Sequence, residues 1–214
     1  MTIHHDKLAY GKLASMREDI GEDGLSEMLG ALNGEEFLDV VDENGVPTGE
    51  TVGRAEAHAA GVRHRTAHVW LFRKKGGEVF LLLQKRAARK DYPGCYDISA
   101  AGHLAAGEEP SECALRETEE ELGVRAEEKD LIYCGRRVFC YRGEKDGRPF
   151  IDDQVSEVYL LSCDKEEADF SVDPEEAECV RWFSFGAVEE GVKNNSFRHC
   201  IYADELEMLR RQLF

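Results

Sequence analysis

The sequence predicts a mixed α/β sandwich, in which helices cover a β-sheet. Three observations indicate this fold class. Short runs of apolar and β-branched residues recur along the chain, turn residues separate these runs, and helix-like segments lie between and after them. The 214 residues are enough for one domain with a sizeable core and some additions.

The strand predictions begin after residue 34 and rest on runs of large apolar residues bounded by turn residues. The turn Lys74–Gly77 predicts that the second and third strands form a hairpin. The predicted strands are Phe37–Val41, Ala67–Phe72, Glu78–Leu83, Leu131–Tyr141, Val155–Leu161 and Val180–Phe183.

Two helices are predicted within the main domain. The first begins at Pro110, a residue suited to a first helical position, and ends before Gly123. The second is Asp204–Leu213, which has leucines on one stripe. Residues 1–34 are predicted to be an N-terminal helical extension, so the main domain is expected at 35–214. The acidic stretch Asp164–Glu178 is predicted to be a solvated loop.

Charge and composition disfavour several classes of function. The chain has 44 acidic and 27 basic side chains, a net charge of -17, which disfavours binding to nucleic acid polymers or to anionic membranes. No apolar run approaches the roughly 18 residues of a membrane span, and the N-terminus lacks signal-peptide features. The seven cysteines include no CxxC pair and are interpreted as reduced structural thiols, so a cytoplasmic location is expected.

The segment GHLAAGEEPSECALRETEEELGV, residues 102–124, carries the clearest chemical signal. On a helix, Glu117, Glu120 and Glu121 fall within an arc of about 100°, on the side away from Leu115 and Leu122. Like charges at these spacings cost a few tenths of a kcal/mol each, and a divalent cation would reverse that cost. The alternative interpretation is a solvated acidic helix.

The same segment resembles the Nudix box, G-x5-E-x7-R-E-U-x-E-E-x-G-U, where U is usually a bulky apolar residue. Thr118, at a U position, is the one departure. The resemblance implies an α/β/α sandwich with a mixed sheet, and hydrolysis of a diphosphate linked to another group by attack of a metal-activated water on phosphorus. The matching residues are Gly102, Glu108, Arg116, Glu117, Glu120, Glu121, Gly123 and Val124.

The resemblance also implies roles for individual residues. Arg116 would orient a glutamate, and Glu108 would support the loop. The general base would be a glutamate of the box or a glutamate of a later strand, for which Glu157 is the candidate. Glu117 and Glu120 are therefore candidates both for catalysis and for binding Mg²⁺ or Mn²⁺. The expected metal ligands are the box carboxylates and one carbonyl, namely Glu117, Glu120, Glu121 and Gly102.

The expected partner is a small-molecule diphosphate. Arg86 and Lys90, which follow a predicted strand, are candidates for binding its phosphates, and His103 of the box is a third substrate-binding candidate. The alternative is that these cations are solvated loop charges. The N-terminal extension and the habit of the family favour a homodimer.

Before the box lie the segments FLDVVDENGVPTGETV, HRTAHVWLF and LLLQKRAARKDYPGCYDISAAGH. This region also resembles isopentenyl-diphosphate isomerase. The isomerase uses a cysteine where this chain has Ala101, and an acidic pair on a later strand where this chain has Asp152–Gln154. Its metal-binding histidines correspond to His64, His103 and, with an offset of one residue, His58; such a site prefers Zn²⁺ or Mn²⁺. The alternative is that these histidines make ordinary hydrogen bonds. Because alanine and glutamine cannot move the protons of an isomerisation, a hydrolase is favoured and an isomerase is the alternative function.

Overall fold

The computed structural model describes residues 35–145 and 147–214, so the predicted helical extension at 1–34 lies outside the described residues. Within them the mixed α/β fold is confirmed. The elements in chain order are β1 (Phe37–Val41), β2 (Pro47–Gly53), α1 (Arg54–Ala60), β3 (His64–Lys75), β4 (Glu78–Arg86), β5 (Tyr96–Asp97), β6 (Ala100–His103), α2 (Pro110–Leu122), β7 (Leu131–Lys145), β8 (Arg148–Ser162), β9 (Ala177–Ser184), α3 (Phe185–Asn194) and α4 (Ala203–Leu213).

The central sheet is mixed and divides along one edge of β3. Its strand order is β5-β4-β3-β8-β7, with β6 paired to β3 and β9 paired to β4. Strand β3 runs parallel to β8, and β7 and β8 form an antiparallel hairpin. The same edge of β3 pairs with β6 over Thr66–Val69 and with β4 over Phe72–Lys75. The ends of β4 and β6 are therefore neighbours across an opening in the sheet.

Side chains of β3 alternate between two cores, one on each face of the sheet. Ala67, Val69 and Leu71 pack with residues of α2, and this side is called the α2 face. Trp70 and Phe72 pack with residues of α3 and α4, and this side is called the α4 face. The two layers of helices on one sheet confirm the sandwich architecture.

The predicted elements are present, but several are longer than predicted. The predicted strand Val155–Leu161 is the inner part of β8, because the polar run before it continues the antiparallel pairing with β7. Helix α1 was not predicted, because its seven residues give too little periodicity to detect. The stretch Asp164–Glu178 is mostly exposed, as expected, although it includes a short 3₁₀ turn and its last two residues begin β9.

The described residues bear on two further expectations. All seven cysteines are free thiols in the structure, and Cys95, Cys113 and Cys163 are buried. Among the described helices, none combines the length and the apolar character that crossing a bilayer requires.

A buried carboxylate attaches α4 to the sheet. Glu205 is 1% exposed, and it accepts hydrogen bonds from Nδ1 of His68 at 2.8 Å and from Nε1 of Trp70 at 2.9 Å. Burial by itself would lower the pKa of His68, but the Glu205 carboxylate raises it above its ordinary value. Asp97 adds to this increase and Arg137 opposes it. His68 is thus a structural residue of the α4 face, as expected for a strand histidine.

We expect His68→Gln to destabilise the protein at pH 6 by about 1–3 kcal/mol, because a charge-assisted bond to Glu205 is lost. Since the folded-state pKa of His68 is raised, its contribution is complete below the unfolded value of about 6.5 and declines as the pH rises through the folded value. Urea unfolding should therefore show a smaller difference from wild type at pH 9. His199→Gln is the control, because the ring of His199 bonds to the carbonyl of Ile201 and the amide of Asn195 and, among the described residues, to no carboxylate. If His68→Gln and wild type differ in unfolding free energy by the same amount at pH 6 and pH 9, the charged pair of His68 with Glu205 is contradicted.

Candidate active site

The guanidinium of Arg116 joins the loop before α2 to two carboxylates of the helix. Its Nε donates to Oε1 of Glu108 at 2.9 Å, and its Nη2 donates to the carbonyl of His103 at 3.1 Å. Its Nη1 donates to Glu117 at 2.6 Å and to Glu120 at 3.1 Å. The bond to Glu108 and the charge of Glu117 raise the pKa of Arg116 above its ordinary value. One rigid cation thus fixes three carboxylates of the box.

Local sequence defines the bounds of α2. Pro110 lies in its first turn, and the side chain and backbone of Glu109 and Glu112 bond reciprocally to form a capping box. Gly123 closes the helix with a left-handed φ of 64°. Thr118, the departure from the Nudix box, is fully buried, and its hydroxyl donates to the carbonyl of Ala114 at 2.6 Å. The polar atom is therefore satisfied inside the core.

The three glutamates do not lie together on the outer side of α2, and that prediction is corrected. The side chain of Glu120 is 59% exposed, whereas that of Glu117 is 14% exposed and Glu121 is 4% exposed. Glu121 belongs to the buried stripe with Leu122, and Leu115 is only half-buried. The physical reason is the opening between β4 and β6, which gives two carboxylates room beneath the helix.

Gly102 provides part of this room. A Cβ atom at this position would lie 1.9 Å from Oε1 of Glu117, so only glycine is compatible with this side chain. The clash also shows that Gly102 faces α2. Its carbonyl, an expected metal ligand, lies 3.7 Å from the Sγ of Cys113, which donates a weak hydrogen bond.

Glu121 lies at the opening in the sheet. Its carboxylate accepts from Nε2 of Gln84 on β4 at 3.2 Å and from the amide of Ala101 on β6 at 3.4 Å. Burial raises the pKa of Glu121 to about 8, and the charges of Glu176 and Glu117 add to this effect. The carboxylate is therefore in a place where a nearby positive charge would strongly stabilise it.

A second ion pair supports the loop of the box, and sequence reasoning missed it. Asp39 on β1 accepts from Arg65 at 2.8 Å and from the amide of Gly107 at 3.0 Å. Arg65 also donates to the carbonyl of Glu108 at 3.3 Å. Burial works against ionisation of Glu108, but its bonds from Arg116 and the Ala105 amide hold its pKa below the ordinary value. The only sequence signal was a carboxylate inside a strand-like run.

Glu157 lies on the α2 face, two strands away from Gly102. It is in register with Ala67 of β3, which in turn is in register with Gly102 of β6. Both of its oxygens are engaged: Oε2 accepts from the Tyr133 hydroxyl at 2.7 Å and Oε1 from Nε of Arg136 at 2.6 Å. Glu157 therefore shares a sheet face with Gly102, where it forms an ion pair with Arg136.

The predicted substrate-binding cations are both held by carboxylates. Nη1 of Arg86 lies 2.6 Å from Oδ2 of Asp97. Nζ of Lys90 pairs with Oε2 of Glu176. Arg86 ends the strand that carries Gln84, and the charge of Lys90 affects the pKa of Glu121. Binding of phosphate by either residue requires an exchange of partners.

Three histidines and one carboxylate converge on the α4 face. The ligand atoms of His58, His64, His103 and Asp152 all lie within 4.8 Å of one another. The Nδ1 atoms of His58 and His64 bond to backbone carbonyls at 2.8 and 2.9 Å, which turns their Nε2 atoms toward the cluster. Among the described residues, Nε2 of His64, Nε2 of His103 and Oδ1 of Asp152 have no hydrogen-bond partner.

Burial favours the neutral form of His103 in this histidine cluster. Burial lowers the pKa of His103 well below its ordinary value, and the charges of Arg54 and of the two neighbouring histidines lower it further. Burial would raise the pKa of Asp152, but its contacts with His58 and His64 hold it well below the ordinary value. Imidazole nitrogens and one carboxylate are a donor set suited to a transition metal.

Comparison with known proteins identifies the family. The model of the NUDIX domain matches residues 62–203, which include the whole of the box and both sides of the sheet opening. The chain belongs to the Nudix family. The resemblance stated from the box is therefore confirmed.

The Nudix relatives carry two kinds of name. Nudix hydrolase 3 of Arabidopsis thaliana is 41% identical over 132 residues, 60% of this chain and 16% of the relative. A Nudix hydrolase of Listeria monocytogenes is 37% identical over 151 residues, 68% of this chain and 85% of the relative. An isopentenyl-diphosphate Delta-isomerase of Roseobacter denitrificans is 30% identical over 149 residues, 70% of this chain and 80% of the relative. The chain spans less than half the length of the first curated relatives it matches.

A solved structure supports the Nudix fold. The crystal structure of DR0079 from Deinococcus radiodurans matches with a TM-score of 0.58 and 20% identity, covering 84% of this chain and all of that one. At this identity the match concerns the fold alone.

We expect Gly102→Ala to displace the Glu117 carboxylate, because its Oε1 would lie 1.9 Å from the new Cβ. The strain should cost about 1–3 kcal/mol of unfolding free energy, measured by denaturant titration. Gly186→Ala in α3 is the control, because no atom lies within 4 Å of its Cβ position and it should be neutral or slightly stabilising. A Gly102→Ala protein as stable as Gly186→Ala would mean that Glu117 occupies another position.

Proposed function

We propose that this Nudix protein is a divalent-metal-dependent hydrolase of a small organic diphosphate, such as a nucleoside diphosphate linked to another group. The observation that supports this most directly is the network of Arg116, which gathers Glu108, Glu117 and Glu120 at the end of β6. The membership of the Nudix family supports the same reaction class.

The donor set fits Mg²⁺ or Mn²⁺. The proposed ligands offer only oxygen atoms, which these cations prefer. Two of the carboxylates are largely buried and repel each other, so a cation between them offsets both burial and repulsion. When bound, the cation neutralises phosphate oxygens and lowers the pKa of a water. The ligands proposed are Glu117, Glu120, Glu121 and the carbonyl of Gly102.

The proposed roles of the other residues follow from their contacts. Arg116 holds Glu117 in one orientation, so the carboxylate keeps its geometry through the reaction. Glu120 is exposed and bonds only to Arg116 among the described residues, so its free oxygen can take a proton from the attacking water. Glu157 serves as the base only if Tyr133 or Arg136 releases one of its oxygens.

The substrate is proposed to approach through the opening between β4 and β6. Arg86 and Lys90 lie on the β4 side of this opening, and His103 ends the β6 side. The positive charges of Arg86 and Lys90, released from Asp97 and Glu176, are proposed to bind the phosphates. A divalent cation is needed in addition, because the chain as a whole carries a net charge of -17.

The histidine cluster is proposed to hold a second divalent metal, with Zn²⁺ or Mn²⁺ preferred. Three unpartnered buried atoms among the described residues, on His64, His103 and Asp152, support this proposal, because a metal would satisfy all of them. The cluster lies on the α4 face, opposite the face that carries α2.

A second candidate function is isomerisation of isopentenyl diphosphate. The relative with that name and the histidine cluster favour it. Ala101, which stands where the isomerase has its cysteine, disfavours it because a methyl group carries no exchangeable proton.

We expect Glu120→Gln to lower kcat/KM for diphosphate hydrolysis by roughly 10²–10⁴-fold, because a proton acceptor and metal ligand is lost. Phosphate release from a panel of nucleoside diphosphate derivatives, with and without Mg²⁺, measures this. Glu119→Gln, which pairs with Arg125 on the surface of the same helix, is the control and should match wild type.

Turnover of Glu120→Gln equal to that of Glu119→Gln would contradict the proposed hydrolase site. The same wild-type preparation is assayed by NMR with isopentenyl diphosphate, Mg²⁺ and Mn²⁺. We expect no isomerisation, and formation of dimethylallyl diphosphate without phosphate release would support the second candidate instead.

We expect Asp152→Asn to reduce the stoichiometry of bound Zn²⁺ or Mn²⁺ by about one equivalent, because the amide is a weaker metal ligand than the carboxylate. Elemental analysis after dialysis measures the loss. Asp153→Asn is the matched control. The carboxylate of Asp153, next to Asp152 in the chain, pairs with Arg63 and does not belong to the histidine cluster. Equal metal content in both variants would contradict the second site.

A further inference from the structure

Three ion pairs connect the end of β4 and the loop after it to the segment 175–178. The pairs are Arg89–Glu175, Lys90–Glu176 and Lys85–Glu178. Lys90–Glu176 is the least exposed of the three, and the charges of both its members affect the pKa of Glu121. Each of the three pairs joins a basic side chain to a glutamate, but at a different position. The pairs of Glu175 and Glu178 therefore serve as controls for the pair of Glu176.

Backbone hydrogen bonds fix Glu176 beside the catalytic helix. Its carbonyl accepts from the amide of Ala87, just after β4, at 3.0 Å. Its amide donates to the carbonyl of Asp173, whose own amide donates to the carbonyl of Glu121, both at 3.0 Å. These bonds tie Glu176 both to the end of β4 and to the last turn of α2. The backbone of Glu176 is consequently held near the end of α2, and the charge of Glu176 raises the pKa of Glu121.

A buried amide oxygen lies at the same place. Gln84 is 5% exposed, and its Nε2 donates to Glu121. Its Oε1 has no hydrogen-bond partner among the described residues. A buried acceptor without a partner is unfavourable, and a cation next to it would satisfy it. The unpartnered amide oxygen of Gln84 is thus a second observation that indicates a bound cation, in addition to the cluster of carboxylates.

We propose that Glu176 and Gln84 extend the metal site of the box, with their side-chain oxygens joining Glu121 around a divalent cation, and that Lys90 holds Glu176 until this cation binds. The inference rests on the proposed function and adds two ligands and one competing cation to it. Mg²⁺ prefers such carboxylate and amide oxygens, and its double charge outweighs that of one ammonium group. Lys90, once displaced, is free to bind a phosphate of the substrate.

The two members of the pair then have opposite effects on metal binding. Loss of the Glu176 carboxylate removes a ligand and weakens binding. Loss of the Lys90 ammonium removes a competitor and strengthens binding. An ion pair that only supports the loop would not give opposite signs, because both changes break the same contact.

The test is titration of the full chain with Mg²⁺ alone, followed by isothermal calorimetry without substrate. Mg²⁺ is used because the histidine cluster binds it poorly. We expect Glu176→Gln to raise the Kd by about 10- to 100-fold. We expect Lys90→Met to lower the Kd by about fivefold, as for removal of one nearby like charge. Glu175→Gln and Glu178→Gln, from the two other ion pairs, should bind as wild type does.

Thermal unfolding of each variant verifies that the fold is kept. Wild-type affinity in Glu176→Gln, or weaker binding in Lys90→Met, would overturn the inference and leave the proposed function standing. Glu176→Gln and Glu175→Gln that weaken binding equally would also overturn it. A wild-type chain that neither binds Mg²⁺ nor hydrolyses any diphosphate would overturn the proposed function together with the inference.

Discussion

The structure of the site depends on one planar cation. A guanidinium offers five N–H donors in a fixed plane, and Arg116 uses them to bind the loop, the helix and the end of β6 at once. A lysine at this position would present a single point charge and could not set three partners at fixed angles. The geometry of Glu117 and Glu120 thus follows from the geometry of one side chain.

The alternation of strand residues separates two polar centres in a small volume. Gly102 and His103 are neighbours on β6, yet Gly102 faces α2 and His103 faces the opposite side. The box carboxylates therefore gather on the α2 face, and the histidine cluster gathers on the α4 face. At the opening between β4 and β6, the carboxylate of Glu121 accepts a hydrogen bond from the amide of Ala101.

Several acidic side chains of this chain form ion pairs with basic side chains close to the proposed site. The cations near the opening are held by carboxylates of a later segment, so the surface of the site presents few free positive charges among the described residues. In the proposed site, a divalent cation satisfies the carboxylates that the displaced lysine or arginine leaves. Exchange of ionic partners is thus the common feature of the proposed metal and phosphate binding.

Several features followed from the sequence because they depend on residues close together in the chain. Pro110 and Gly123 set the bounds of α2, and the spacing from Gly102 to Glu121 gave the family and the proposed oxygen donors. Local geometry was sufficient for each of these.

Only the tertiary structure decided which groups surround those residues. The burial of Glu121, the choice of Asp152 over Asp153 for the histidine cluster, and the position of Glu176 depend on contacts between segments far apart in the sequence. A sequence pattern gives the side of a helix or strand on which a residue lies, but it does not give the element that packs there. In this protein the division of the sheet along β3 made the difference, because it turned two predicted surface carboxylates into buried ones.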